Sequence, residues 1–144
     1  LLQRELPLEI RKSIVSKLFM KFVRVTSEND FCQELYMSED DIKKLISEGM
    51  YVGSHTYNHF WLSSLNYNLQ LKEINLSMEF LEKIGAPTKN WIMCYPYGDY
   101  NKDTLKILKK LNCVIGITTK VDKVILGESD PLQYSRFDTN DYPQ

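Results

Sequence analysis

Apolar residues recur along the chain at spacings that predict helices. From Leu8 to about Val25 they fall three and four positions apart, with lysine and arginine between them, which indicates an amphipathic helix. Residues 38–48 predict a second helix that ends at Gly49, and further helices are predicted over about 67–84 and up to residue 111. The chain is therefore rich in short helices.

Three short apolar runs lie between these helices and predict buried strands, at Met50–Ser54, Trp91–Tyr95 and Cys113–Thr118. Helix and strand alternate at short spacing, which favours βα units and a parallel sheet. Ligand sites of such sheets gather at the carboxyl ends of the strands. His55-Thr56 and Tyr95-Pro96-Tyr97-Gly98 both fall at predicted strand ends.

The composition is that of an ordinary globular chain. Its 144 residues are 43% hydrophobic and 26% charged, enough for one domain with a core. We predict a single domain over 1–144, with a helical lead-in at 1–36 and the chemistry in 37–144. The net charge of -1 lacks the basic excess that phosphate neutralisation needs, so nucleic acid is not expected as a partner. No apolar run approaches the roughly 20 residues of a membrane span.

The cysteines do not form a recognisable framework. Cys32, Cys94 and Cys113 are odd in number and lack CxxC spacing, which argues against structural disulfides and a cysteine zinc site. Reduced thiols slightly favour a cytoplasmic setting. The chain opens at Leu1 and not at methionine, so we expect a fragment or processed product, and the compartment of the parent stays open.

The two histidines of the chain lie four residues apart, in Ser54-His55-Thr56-Tyr57-Asn58-His59. On a helical turn, positions i and i+4 share a face, so both imidazoles can reach one ion at the roughly 2.0–2.1 Å of zinc sites. A third ligand, commonly a carboxylate, must then come from elsewhere. The alternative is that the spacing is a coincidence or that the histidines cap a loop.

The same segment, extended to Gly53, resembles the second motif of polysaccharide deacetylases, the NodB homology domain, which reads H-[ST]-x-x-H. The resemblance spans about Met37 to Thr119. It implies a distorted, partial (β/α) barrel with parallel strands, His55 and His59 as metal ligands, and a loop-supporting hydroxyl on Thr56. It also implies hydrolysis of the N-acetyl group of N-acetylated sugars in a polysaccharide or glycan precursor. Zinc is the expected metal, with cobalt, nickel or another divalent ion as alternatives.

Tyr95-Pro96-Tyr97-Gly98-Asp99-Tyr100-Asn101 resembles the third motif in a subgroup of that family. An aromatic ring after a fixed proline offers a sugar a flat wall, and the peptide N–H of Tyr97 can point at a developing oxyanion. The bland alternative is a tight turn with two packing tyrosines. Cys94 stands where many members have arginine. The predicted sugar-binding residues are Tyr95, Pro96, Tyr97, Gly98 and Trp61.

Ser135-Arg136-Phe137-Asp138-Thr139-Asn140-Asp141 resembles a late segment of the subgroup. Arg136 can orient or tune a catalytic carboxylate through a bidentate pair, although a surface ion pair explains it equally well. Tyr97, through its backbone amide, and Arg136 are the predicted catalytic residues.

Two features that the resemblance implies are absent from the sequence. The family's early T-F-D-D motif supplies a base and a third ligand, but the sole adjacent aspartate pair here, Asp40-Asp41, opens a helix, where the dipole already favours acids. The late histidine is also lacking. We expect either a chain that begins downstream of the first strands or a degenerate homologue. These 144 residues alone are expected to bind metal weakly, with little turnover.

Two alternatives to a deacetylase remain. A glycan-binding or structural module can retain the aromatic groove of Trp61, Tyr95 and Tyr97 without catalysis, and sequence upstream of Leu1 discriminates between the two. A partner-binding role for the N-terminal helix has only its apolar stripe as support, and that stripe is predicted to be core.

Overall fold

The computed structural model describes residues 5–23 and 27–142, and contacts divide the chain into two compact units with a boundary between Asp40 and Asp41. The first unit contains α1 (Leu8–Phe22) and α2 (Glu28–Leu35). The predicted first helix is confirmed, and its proposed end near Val25 lies outside the described residues.

The apolar stripe of α1 is not core in this structure. The helix has no buried residue, and Val15 and Leu18 are each at least half exposed. Phe19 contacts Phe31 of α2 edge to face, with the ring centroids 5.6 Å apart. The prediction that this stripe is core is therefore wrong, because none of its residues is buried.

Three helices of the remaining chain confirm their predicted positions: α3 (Glu39–Ser47), α4 (Tyr67–Lys83) and α5 (Lys102–Lys110). The N-cap of α5 is Asn101, whose side chain accepts hydrogen bonds from the next turn in a capping box. After α3 the chain passes through Gly49 at φ +86°, a left-handed conformation that glycine adopts without steric cost.

The sheet has two parallel strands, β1 (Trp91–Cys94) and β2 (Cys113–Ile117), connected through α5. Isolated parallel bridges extend it on both sides, from Ser54 to Met93 and from Ile117 to Tyr134. Across the sheet, the order of the four extended segments is therefore the segment of Ser54, β1, β2 and the segment of Tyr134. An α/β class with parallel strands was predicted, and it is confirmed.

The predicted strand Met50–Ser54 is wrong in extent, since only its last residue forms a bridge. The hydroxyl of Tyr51 accepts the hydrogen bond of the Ile92 N–H at 3.0 Å, in the place of a backbone carbonyl. Gly53 also packs so closely on the Ile92 carbonyl that a Cβ would lie 2.9 Å from that oxygen. The Tyr51 hydroxyl thus takes the place of one backbone acceptor, and backbone pairing with β1 begins at Ser54.

The main core lies between the sheet and the helices α4 and α5. Its fully buried members include Trp91 and Met93 from alternate positions of β1, together with Leu62, Ile74, Ile107 and Leu108. The Trp91 indole N–H donates to the Leu111 carbonyl, so the large ring is buried without an unsatisfied donor. Within residues 5–23 and 27–142, no helix combines the length and apolar character that crossing a bilayer requires.

Candidate functional site

The histidine loop follows the bridge residue Ser54 at the carboxyl end of its extended segment. The loop is not the helical turn that was predicted, because Thr56 (φ +62°) and His59 (φ +56°) both adopt the left-handed conformation. The rings of His55 and His59 nevertheless lie together, with centroids 4.7 Å apart and planes inclined by 63°. The two imidazoles therefore meet through two left-handed residues of a loop, and not through the i, i+4 spacing of a helix.

One histidine is held in a defined tautomer. His55 Nδ1 lies 2.7 Å from the carbonyl oxygen of Cys94, the last residue of β1. A carbonyl only accepts, so Nδ1 carries the proton and the neutral ring keeps its lone pair on Nε2. In known metal sites, the ring nitrogen that does not bind the metal usually donates such a hydrogen bond, and this bond orients the histidine. The strand next to the loop therefore fixes the ring.

The second histidine is biased toward its neutral form. Burial lowers the pKa of His59 below its ordinary value, and the neighbouring His55 lowers it further. A neutral imidazole is the form that binds a metal ion, because the protonated ring has no lone pair to donate.

A buried carboxylate on α4 supports the loop, and sequence reasoning missed it. Glu73 accepts hydrogen bonds from the backbone N–H of Asn58 at 2.9 Å and from the Asn58 side-chain amide at 2.7 Å. Below it on the same helix, Ser77 shares a 2.6 Å hydrogen bond with Ser54. The available signal was Gln70, Glu73 and Ser77, three polar residues at helical spacing on the buried face of α4.

Thr56 differs from what the resemblance implied. Its hydroxyl is buried without a hydrogen-bond partner among the described residues, whereas its backbone N–H donates to Ser54 Oγ at 3.3 Å. The loop is therefore held by Ser54 and Glu73, and the loop-supporting role implied for the Thr56 hydroxyl has no counterpart in these contacts.

A row of aromatic rings continues from the histidines. The Tyr97 ring meets that of His59 edge to face at 4.6 Å, and on it stacks the Trp61 ring, 4.3 Å away with the planes only 2° from parallel. Tyr97 is 37% exposed, so part of this row of rings is accessible to solvent. The structure thus brings together four predicted site residues, His55, His59, Trp61 and Tyr97.

Asp99 connects the two segments that carry the stacked rings. Its carboxylate accepts from the backbone N–H and from the hydroxyl of Ser63, both at 2.7 Å. Ser63 lies two residues after Trp61, and Asp99 two residues after Tyr97. The hydrogen bonds between Asp99 and Ser63 therefore link the segment of Trp61 to the segment of Tyr97. This contact was not predicted, because the two residues lie 36 positions apart in the sequence.

Two predicted sugar-binding residues do not reach the surface. Tyr95 is 2% exposed and its hydroxyl donates a hydrogen bond to the Leu132 carbonyl, and Pro96 is fully buried. The prediction that their side chains line a sugar groove is wrong, since both side chains are buried. Their effect is indirect: they fix the 3₁₀ turn Pro96–Gly98, in which Tyr97 takes φ +59°.

The remaining predicted residues lie beside this turn or beyond it. Gly98, at φ +68°, packs directly against the Thr119 side chain, with no room for a Cβ. Arg136 is exposed in the segment after Tyr134, where its backbone N–H donates to the Lys120 carbonyl. The Asn140 N–H, and more weakly the Arg136 charge, lower the pKa of Asp138. Arg136 thus acts on a carboxylate of its own exposed segment, and the predicted catalytic role stays a prediction.

The donor set for a metal consists of the two imidazoles. The part of the chain that the structure describes contains no cluster of three or more His, Cys, Asp or Glu side chains arranged to hold an ion. Two neutral nitrogen donors match half of a tetrahedral zinc site. The imidazoles thus fit a metal as a half-site that further ligands must complete.

Comparison with known proteins identifies this combination. The sequence profile of the family described as Polysaccharide deacetylase matches residues 16–115, more than half of the chain. A curated relative, the Bacillus subtilis (strain 168) protein named "Putative polysaccharide deacetylase YxkH", is 29% identical over 85 residues, which are 59% of this chain and 30% of the relative.

Solved structures agree with the fold. The Streptococcus pyogenes deacetylase PplD, determined in complex with acetate, matches with a TM-score of 0.65 and 27% identity over 74% of this chain and 46% of its own. BC0361, a polysaccharide deacetylase from Bacillus cereus, matches with a TM-score of 0.58 and 30% identity over 69% and 31%. This chain therefore spans less than half the length of these relatives.

Proposed function

Since the chain belongs to the polysaccharide deacetylase family, we propose that it forms the histidine and aromatic part of a metal-dependent hydrolase acting on N-acetylated sugars. His55 and His59 hold the divalent ion, with zinc as the expected metal. The substrate is a sugar N-acetyl group in a polysaccharide or glycan precursor, and the products are acetate and a free amine.

The observation that carries this proposal is the approach of the two imidazoles beside an aromatic surface. Their centroids lie 4.7 Å apart, and Tyr97 contacts His59 directly. Because Nδ1 of His55 donates its hydrogen bond to the Cys94 carbonyl, the lone pair of Nε2 is the one that binds the metal. Chance placement of two histidines accounts for neither the fixed tautomer nor the stacked rings next to them.

The remaining residues have roles that follow from their positions. A divalent ion held by His55 and His59 would lower the pKa of its bound water and would polarise the acetyl carbonyl. The stacked Trp61 and Tyr97 rings bind the apolar face of a sugar, which orients its acetyl group toward the histidines. The backbone N–H of Tyr97 donates to the oxyanion that develops on the carbonyl oxygen. In support, a similar deacetylase binds acetate, the expected product.

A second candidate is a glycan-binding module without catalysis. It is favoured by one observation, that the described residues contain no third metal-ligating side chain beside the histidines. The aromatic surface would still bind a sugar in such a module.

The experiment is release of acetate from N-acetylglucosamine oligomers, with zinc or cobalt added, by the protein that contains this chain. If the protein is a deacetylase, added metal should stimulate acetate release, and His55→Ala should abolish that release. Oligomer binding without acetate release, at any metal concentration, contradicts the deacetylase and selects the binding module.

A further inference from the structure

The helix α4 presents two buried polar side chains to the histidine loop. Glu73 and Ser77 lie four positions apart, on the buried face of the helix. Buried polar groups lose their contacts with water, and hydrogen bonds must compensate for that loss. Here the hydrogen bonds go to the loop, since Glu73 accepts from Asn58 and Ser77 pairs with Ser54.

Each of these two loop residues is the immediate neighbour of a histidine. Ser54 precedes His55, and Asn58 precedes His59. The two side chains of α4 that hold them are one helical turn apart, a separation of roughly 5–6 Å between their Cβ atoms. Both histidines are therefore connected to a single helix, each through one neighbouring residue.

The contact between Glu73 and Asn58 uses both oxygens of the carboxylate. The backbone N–H of Asn58 donates to Oε2 at 2.9 Å, and its side-chain amide donates to Oε1 at 2.7 Å. Hydrogen bonds to an ionised acceptor are roughly twice as strong as those between neutral groups. Because both donors belong to one residue, the two bonds fix the orientation of Asn58 as well as its position.

His59 needs this support because its backbone is left-handed, at φ +56°. A residue other than glycine keeps such a conformation where the surrounding structure fixes it. The His55 ring is held separately, by its bond to the Cys94 carbonyl. Release of Asn58 would let His59 return to a negative φ, which would move its ring away from that of His55.

We propose that Glu73 is a positioning residue for the metal site, which holds His59 where it can share one divalent ion with His55. Glu73 acts through Asn58 and is not itself a ligand. The inference rests on the proposed function, in which both histidines bind the ion. It makes metal affinity depend on a buried side chain of α4, 14 positions beyond the second histidine.

The test is calorimetric titration with zinc of the protein that contains this chain. Glu73→Ala should lower zinc affinity about 10–100-fold, the usual effect of removing a group that orients a metal ligand. Glu73→Gln keeps one acceptor oxygen, so its affinity should lie between those of Glu73→Ala and the wild type. Glu79→Ala removes an exposed carboxylate from the same helix and is the matched control, with unchanged affinity expected. Circular dichroism verifies that each variant is folded during the titration.

Asn58→Ala tests the same contact if Glu73→Ala does not fold. Asn58 is exposed, and the substitution removes only the side-chain bond at 2.7 Å while the backbone N–H still reaches Glu73. Zinc affinity should fall, but less than in Glu73→Ala. Tyr57→Ala, at an exposed position of the same loop, is the control and should bind zinc like the wild type.

Wild-type zinc affinity in folded Glu73→Ala or in Asn58→Ala overturns the positioning role, and so does an equal loss of affinity in Glu79→Ala. The deacetylase proposal survives these results if His55→Ala and His59→Ala each lose the metal. A wild type that binds no zinc, or histidine variants that retain it, overturns both proposals. The two failures are therefore distinguishable, and none of these measurements depends on acetate release.

Discussion

Backbone strain in this protein concentrates at the candidate site. Thr56, His59 and Tyr97 all adopt left-handed φ values near +60°, a conformation that costs non-glycine residues about 1–3 kcal/mol each. Such residues persist where the surrounding structure fixes them. The sequence identified all three as site residues by resemblance, but it gave no sign of their backbone conformation, because Thr, His and Tyr do not favour positive φ.

Tyr97→Ala should weaken sugar binding more than it slows the chemical step. The substitution removes the ring that stacks on Trp61, whereas the backbone N–H that is proposed to bind the oxyanion remains. Steady-state kinetics should show a raised KM with a smaller change in kcat. Tyr97→Phe keeps the ring and is the control. A collapse of kcat at unchanged KM would contradict this division of roles.

Asp99→Ala should lower sugar affinity through the position of the rings. It removes both hydrogen bonds to Ser63, so the segments of Trp61 and Tyr97 lose their connection. Ser63→Ala removes only the hydroxyl bond and should have the smaller effect. Sugar titration monitors both variants. Unchanged affinity in a folded Asp99→Ala protein would show that stacking alone holds the rings.

At the scale of elements, helices were predictable because their signals are local. The apolar spacing of α4 and the cap at Asn101 are readable without knowledge of the fold. The conformation of Met50–Ser54 was not readable, since the Tyr51 hydroxyl accepts the Ile92 N–H across 41 residues and only Ser54 forms a bridge. The eight-residue α2 was not predicted as a separate helix within the helical lead-in 1–36.

The Glu73 side chain of α4 should stabilise the histidine loop. Glu73→Ala removes the acceptor of both Asn58 donors and should lower the free energy of unfolding by about 1.5–3 kcal/mol, the usual range for hydrogen bonds to a charged group. Denaturant unfolding measures the change. Glu73→Gln keeps one acceptor oxygen and should cost less. Equal free energies of unfolding for the wild type and Glu73→Ala would show that Glu73 does not stabilise the histidine loop.

For the whole molecule, the parallel sheet explains why distant motifs meet. The histidine loop and the Tyr97 turn are about 40 residues apart in sequence, yet Ser54 pairs with β1 and places both at one edge. The alternation of helix and strand was sufficient to predict this edge as the site. The burial of Tyr95 was not predictable, because its hydroxyl bonds to Leu132 and its ring packs in one core with that residue, which comes from a later segment.

The core should lose stability at alkaline pH. Burial raises the pKa of the Cys113 thiol from 9.0 to about 11, and burial also raises that of Tyr95. Between pH 9 and about 11 the thiol of the unfolded chain ionises while the folded one stays protonated, so the free energy of unfolding falls as pH rises. Denaturant unfolding at several pH values measures the slope. Cys113→Ala should flatten it, and an identical slope would assign the effect elsewhere.

The central claim is that His55 and His59 bind one divalent ion. Elemental analysis of the purified protein that contains this chain, after incubation with zinc and gel filtration, tests it most directly. We predict that His55→Ala and His59→Ala each remove the bound metal, whereas Tyr57→Ala, an exposed residue of the same loop, retains it. Unchanged zinc content in the double histidine variant would contradict the account.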